Sequence, residues 1–93
     1  MSDFSLEGKT AVITGGASGI GKAIAQKFAA KGAHVCVLEI NKDAAQVTVD
    51  EIIKAGGKAS AYQCNVAHQD EVVSVINTIA AQNAIDILIN NAG

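Results

Sequence analysis

Thr14-Gly15-Gly16-Ala17-Ser18-Gly19-Ile20-Gly21 joins a short apolar run to a helical pattern, and the nature of that join decides how the whole chain is read. Upstream, Lys9 to Thr14 holds the continuous apolar residues Ala11, Val12 and Ile13 and reads as a buried strand. Downstream, Ile20, Ile24 and Phe28 recur at helical spacing. Gly15, Gly19 and Gly21 therefore fall in a strand-to-helix turn. Glycine suits such a turn for three reasons: it permits left-handed backbone angles, it lets a phosphate approach without a Cβ, and it lets helix and strand pack closely. The unpaired N–H groups around Gly19 to Lys22 face outward with the positive end of the helix dipole behind them, which is an anion site suited to a dinucleotide diphosphate.

The following segment strengthens that reading. Ala33 to Glu39 reads as a second strand, and Glu39 ends it 18 residues after Gly21. A carboxylate at that point can accept both hydroxyls of an adenosine ribose. Taken without the glycine turn, Glu39 is an ordinary solvated carboxylate. Two other readings of the turn are open. Gly16 to Lys22 fits the G-x-x-x-x-G-K spacing of a nucleoside-triphosphate loop, but the next residue, Ala23, has no hydroxyl for Mg²⁺. The turn can also be purely structural.

The remaining pattern is strand–helix alternation. Strands are predicted at about 9–14, 34–39, 58–63 and 85–90, and helices at about 20–31, 43–55 and 69–82. Gly32 and the Gly56-Gly57 pair end the first two helices, Asn41 or Asp43 caps the second, and Asp70 with Glu71 suits the first turn of the third. Val49, Ile52 and Ile53, and Val72, Val73, Ile76 and Ile79, are predicted core faces. The alternation implies one α/β domain over residues 1–93, a doubly wound parallel sheet of which only the β-α-β-α-β-α-β half is expected. In strand order 3-2-1-4 the first two helices cover one face and the third the other, too little for four strands. The strand at 85–90 is left with an open edge. More polypeptide after Gly93, or a partner, is expected to cover that surface.

Composition narrows the function classes. The chain is 49% hydrophobic and 17% charged, which is globular, and its net charge of −2 offers no basic field for nucleic acid. No signal peptide or membrane-length apolar window is found, so a soluble, cytoplasmic protein is expected. Cys36 and Cys64 lie in predicted strands without CxxC or zinc-like spacing and read as buried reduced thiols, with no metal site. His34 and His68 read as surface residues.

Together these pieces resemble the N-terminal, cofactor-binding half of a short-chain dehydrogenase/reductase. The resemblance rests on Leu6-Glu7-Gly8-Lys9, on Thr14-Gly15-x-x-x-Gly19-Ile20-Gly21, on Asn65-Val66 after the third strand, and on Asp86 through Asn90-Asn91-Ala92-Gly93. It implies a Rossmann-type fold that binds NAD(H) or NADP(H). Gly15, Ser18, Gly19, Ile20 and Gly21 would line the diphosphate, and Glu39 matches the acid of NAD-preferring members. Asn65 would meet the adenine amino edge with Val66 beside the ring, or simply cap its turn. Asn91, Ala92 and Gly93 would run past the nicotinamide-side ribose. Ser18 and Ile40, where an arginine could hold a 2′-phosphate, are uncharged; Lys42 keeps NADP(H) open, with NAD(H) favoured.

The resemblance further implies an oxidoreductase interconverting an alcohol and a carbonyl, acting as a homodimer or homotetramer on a small-molecule substrate. The family's catalytic Ser, Tyr-x-x-x-Lys and further Asn fall beyond the equivalent of Gly93. Tyr62 cannot replace them, because residue 66 is Val rather than Lys. The 93 residues alone are expected to bind coenzyme without catalysing hydride transfer. A binding-only module is the alternative, and the substrate is not encoded in this segment.

Overall fold

The computed structural model describes residues 5–17 and 19–91. Its elements follow the order β1 (Thr10–Thr14), α1 (Gly19–Ala30), β2 (His34–Glu39), α2 (Lys42–Lys54), β3 (Lys58–Gln63), α3 (Gln69–Gln82) and β4 (Ile87–Asn90). The four strands form one parallel sheet in the order β3-β2-β1-β4, the Rossmann-type arrangement expected from the alternation. The register sets Thr14 opposite Leu38 and Asn90, and Glu39 opposite Gln63, so the carboxyl ends of all four strands form one edge.

β1 is the axis of the sheet and all five of its residues are buried, because both faces are covered and both edges are paired. On one face, Ala11, Ile13, Val35 and Val37 pack with Ala25 and Ala29 of α1 and Ala45, Val49 and Ile52 of α2. On the other, Val12, Cys36, Leu38 and Cys64 pack with Ile79 of α3, flanked by Val72, Val75 and Ile85. The second cluster is the smaller. Leu88 of β4 stays 53% exposed beside it, which agrees with the expectation that one helix cannot cover four strands. No helix among the described residues is long and apolar enough to cross a membrane.

Helix faces depart from the sequence expectation by a fraction of a turn. Ile20 is 72% exposed; α1 instead buries Gly21, Ala25 and Ala29, small residues that bring the helix close to the sheet. Ile53 and Val73 are about half exposed (53% and 49%), one residue past the buried line through Ala45, Thr48, Val49 and Ile52 and the line of partly buried Val72 and Val75 with buried Ile79. Each residue advances the helix by about 100°, so a neighbour in sequence points off the face. Thr48 is buried instead, and its Oγ1 has no hydrogen-bond partner among the described residues.

Element ends hold side-chain locks. Asn41 Oδ1 accepts the Ala44 N–H at 3.0 Å and caps α2. β4 begins at Ile87 rather than residue 85, and the preceding Asp86 carboxylate accepts Thr10 N–H at 2.9 Å while Asp86 N–H donates to Thr10 O at 2.9 Å. Cys64 lies one residue beyond β3, yet both cysteines are free and buried as expected. His34 is half-buried rather than a surface residue, with Nε2 2.9 Å from Ser60 Oγ on the neighbouring strand.

Candidate functional site

In an open parallel sheet, neighbouring strands whose crossovers run in opposite directions leave a crevice at their carboxyl ends. Here that point lies between β1 and β4, since α1 and α3 pack on opposite faces. The turn after β1 enters it with Gly15 at φ +65° and Gly19 at φ +53°, left-handed angles that a side chain would strain. Gly15 N–H donates to Leu38 O at 2.8 Å, tying the turn to β2. Gly21 has ordinary helical backbone and is required for space. A Cβ there would collide with the Gly15 carbonyl oxygen and come within 2.5 Å of Asn91 Nδ2. Around Gly19, by contrast, a Cβ would meet no atom within 4 Å among the described residues outside its own helix and chain neighbours. The turn is thus closed on its sheet side and open at the α1 N-terminus, a cradle shaped for an anionic group rather than for a side chain.

Thr14, which the sequence reading named in its motif without assigning it a role, organises the crevice. Its hydroxyl donates to Asn90 Oδ1 at 3.0 Å and accepts Asn91 N–H at 2.9 Å, joining the end of β1 to the end of β4. Asn91 Nδ2 reaches back to Gly15 O at 3.4 Å. The signal was present in the Thr before the first glycine and the paired Asn after the last strand, but only the parallel register brings them together. Ser18, Ala92 and Gly93 lie outside the described residues.

Glu39 sits half-buried at the end of β2, and its Oε2 accepts Asn41 N–H at 3.4 Å. Cys64 N–H donates to Glu39 O at 3.0 Å, and Gln63 Nε2 to Ile40 O at 3.3 Å, so the β3 end supports the loop that carries the carboxylate. Asn65 and Val66 follow directly. Asn65 Oδ1 accepts Ala67 N–H at 3.0 Å, the turn-capping arrangement given above as the alternative to adenine contact, and Asn65 N–H donates to Glu71 Oε1 at 2.9 Å. Burial pushes the Cys64 thiol above its usual range, and the nearby Glu71 carboxylate pushes it in the same direction.

A cavity of about 360 Å³ at this edge is lined by Thr14, Val66, Val72, Ile76, Leu88 and Asn90. A roomier one, about 550 Å³, opens at the amino end of the sheet beside Lys9, His34 and Lys58 and contains none of the candidate site residues. The carboxyl edge is the better site on chemical grounds, because the glycine turn, the helix N-terminus and the terminal Glu39 converge there. Lys22 does not serve a triphosphate loop; its Nζ pairs with Glu51 Oε1 on α2 at 3.0 Å.

The fold and the glycine turn define an α/β protein of the Rossmann type. The short chain dehydrogenase profile matches residues 9–93, and the chain belongs to that family. It is 47% identical over 92 residues to the 7alpha-hydroxysteroid dehydrogenase of Escherichia coli (strain K12), covering 98% of this chain and 36% of that protein. A structure of 7 alpha-hydroxysteroid dehydrogenase complexed with NADH and 7-oxo glycochenodeoxycholic acid superposes with a TM-score of 0.91 at 44% identity, over 98% of this chain and 36% of that one. A metagenomic short-chain oxidoreductase in complex with NADP gives 0.90 at 36% identity, over 95% of this chain and 40% of that one. The chain therefore spans about a third of the length of these relatives.

Proposed function

We propose that this chain is the coenzyme-binding part of a nicotinamide-dependent oxidoreductase that interconverts an alcohol and a carbonyl, with NAD(H) preferred over NADP(H). The observation that carries the reading is the glycine cradle, with left-handed Gly15 and Gly19 and no room for a Cβ at Gly21, facing a carboxylate at the end of the adjacent strand. Gly15, Ser18, Gly19, Ile20 and Gly21 would hold the diphosphate, Glu39 the adenosine ribose, Asn65 and Val66 the adenine, and Asn91, Ala92 and Gly93 the nicotinamide-side ribose. When bound, the nicotinamide ring supplies the hydride chemistry, and these residues bind and orient it.

The Glu39 carboxylate accepts hydrogen bonds from ribose hydroxyls and repels a 2′-phosphate. Proton exchange with substrate is assigned to groups outside these residues. Burial raises the Tyr62 phenol pKa, with Cys36 adding to the rise, which is the wrong direction for proton exchange near neutral pH. The reading includes a small-molecule substrate, a cytoplasmic location in which Cys36 and Cys64 stay reduced, and assembly into a homodimer or homotetramer. Support for assembly comes from the lightly covered face at Leu88.

Titration of NADH and NADPH into wild-type protein and Glu39→Ala tests the reading. Loss of the ribose hydrogen bonds at a half-exposed carboxylate costs about 1.5 kcal/mol, roughly tenfold in NADH affinity. NADPH, whose 2′-phosphate the acid repels, is expected to keep or gain affinity. Unchanged NADH affinity in folded Glu39→Ala would remove the ribose role.

A further inference from the structure

The loop between β3 and α3 carries both proposed adenine contacts, Asn65 and Val66; His68 N–H donates to Asn65 O at 2.9 Å within it. A side chain from the next helix also holds it. Glu71, in the first turn of α3, sends its Oε1 back to the Asn65 backbone N–H at 2.9 Å and its Oε2 to within 3.6 Å of His68 Nδ1. His68, at the helix N-cap, makes no side-chain cap hydrogen bond itself. A carboxylate at this position suits the helix dipole and commonly reaches back to the cap residue. In this chain it reaches three residues further, to the residue whose side chain faces the coenzyme in the proposed function. α3 is in turn seated on the sheet through Val72, Val75 and Ile79, so the Glu71 contact fastens Asn65 to the core.

We propose that Glu71 is a positioning residue for adenine recognition: by holding the Asn65 backbone it aims the Asn65 amide at the base edge. The inference rests on the proposed function above. Asn65 Oδ1 uses one lone pair on Ala67 N–H, which fixes the orientation of the amide and leaves the second lone pair to accept from the adenine amino group. Hypoxanthine carries an oxygen in place of that amino group, so the same amide oxygen meets an acceptor instead of a donor. The preference for an adenine over a hypoxanthine coenzyme therefore reads out the aim of Asn65, and not merely the presence of a folded site.

The test is fluorescence titration of NADH and of reduced nicotinamide hypoxanthine dinucleotide into wild type, Asn65→Ala, Glu71→Ala, Glu71→Asp and Glu71→Gln, with thermal unfolding confirming a folded state. Glu71→Gln keeps an acceptor at the same reach and is expected to keep the wild-type preference. Glu71→Asp keeps the charge in the first helical turn but is one methylene too short, and together with Glu71→Ala it is expected to lower the preference about fivefold, toward the Asn65→Ala value. If both short variants retain the full preference, or weaken the two coenzymes equally, the positioning role is overturned. If wild type binds NADH but does not discriminate between the bases, the adenine role of Asn65 falls and this inference with it, while the glycine cradle stands. If wild type does not bind NADH, the proposed function itself is refuted.

Discussion

Replacing Gly21 with valine separates a structural turn from a coenzyme cradle. The Cβ would overlap the Gly15 carbonyl oxygen and lie 2.5 Å from Asn91 Nδ2 and 3.0 Å from the Gly15 carbonyl carbon. Two of these three atoms are backbone, so the turn itself must retreat by about 1 Å to reach ordinary van der Waals separation. Overpacking of this kind costs about 1–3 kcal/mol, and the upper part of that range applies because no flexible side chain can absorb the overlap. Valine recovers only a few tenths of a kcal/mol in helix propensity over glycine. A net loss of about 2 kcal/mol lowers the unfolding midpoint of a domain this size by roughly 10 °C. The same 1 Å shift moves the Gly15 and Gly19 backbone away from the diphosphate, and NADH binding is expected to fall below detection. Differential scanning fluorimetry and NADH titration on the same preparation decide the matter. A folded Gly21→Val protein with wild-type affinity would refute the cradle, and one with an unchanged midpoint would refute the packing argument.

Two further outcomes are expected. Thr48 Oγ1 is buried without a partner, so the near-isosteric Thr48→Val removes an uncompensated hydroxyl and should raise stability by about 1 kcal/mol, read from urea unfolding; a loss of stability would show that the hydroxyl is satisfied. Burial raises the Cys36 thiol from 9.0 to about 11, so the unfolded chain loses that proton before the folded one does. Its contribution to stability is complete below pH 9 and is lost between pH 9 and about 11, and Cys36→Ala should flatten that alkaline limb of the stability profile.

Element order, strand order and the glycine turn were legible because each is written in local periodicity and in residues with distinctive backbone freedom. The phase of the helices was less so. Thr48 reads as polar yet completes a buried line, while the apolar Ile53 and Val73 stand one position off it; apolar content marks a helix without saying which flank meets the sheet. The hydrogen-bonding roles of Thr14, Asp86 and Glu71 were not legible for a different reason. Each acts by pairing with a backbone or amide group of another segment, and for Thr14 and Asp86 that partner lies 76 or 77 residues away in sequence, a distance that only the parallel register closes. Glu39 was nominated by its position at a strand end after the glycine turn, and Asn65 only by the family resemblance.

The double use of the Thr14 hydroxyl has a mechanical consequence. One atom clasps the terminus of β4 at Asn90 and Asn91 while the same residue leads into the Gly15 bend, so the two banks of the crevice share a rivet on the most deeply buried strand. Neither bank can open without loosening the centre of the sheet. Amide hydrogens of β1 should therefore exchange only when the whole unit melts, and a dinucleotide that bridges both banks should slow that exchange in step with its affinity.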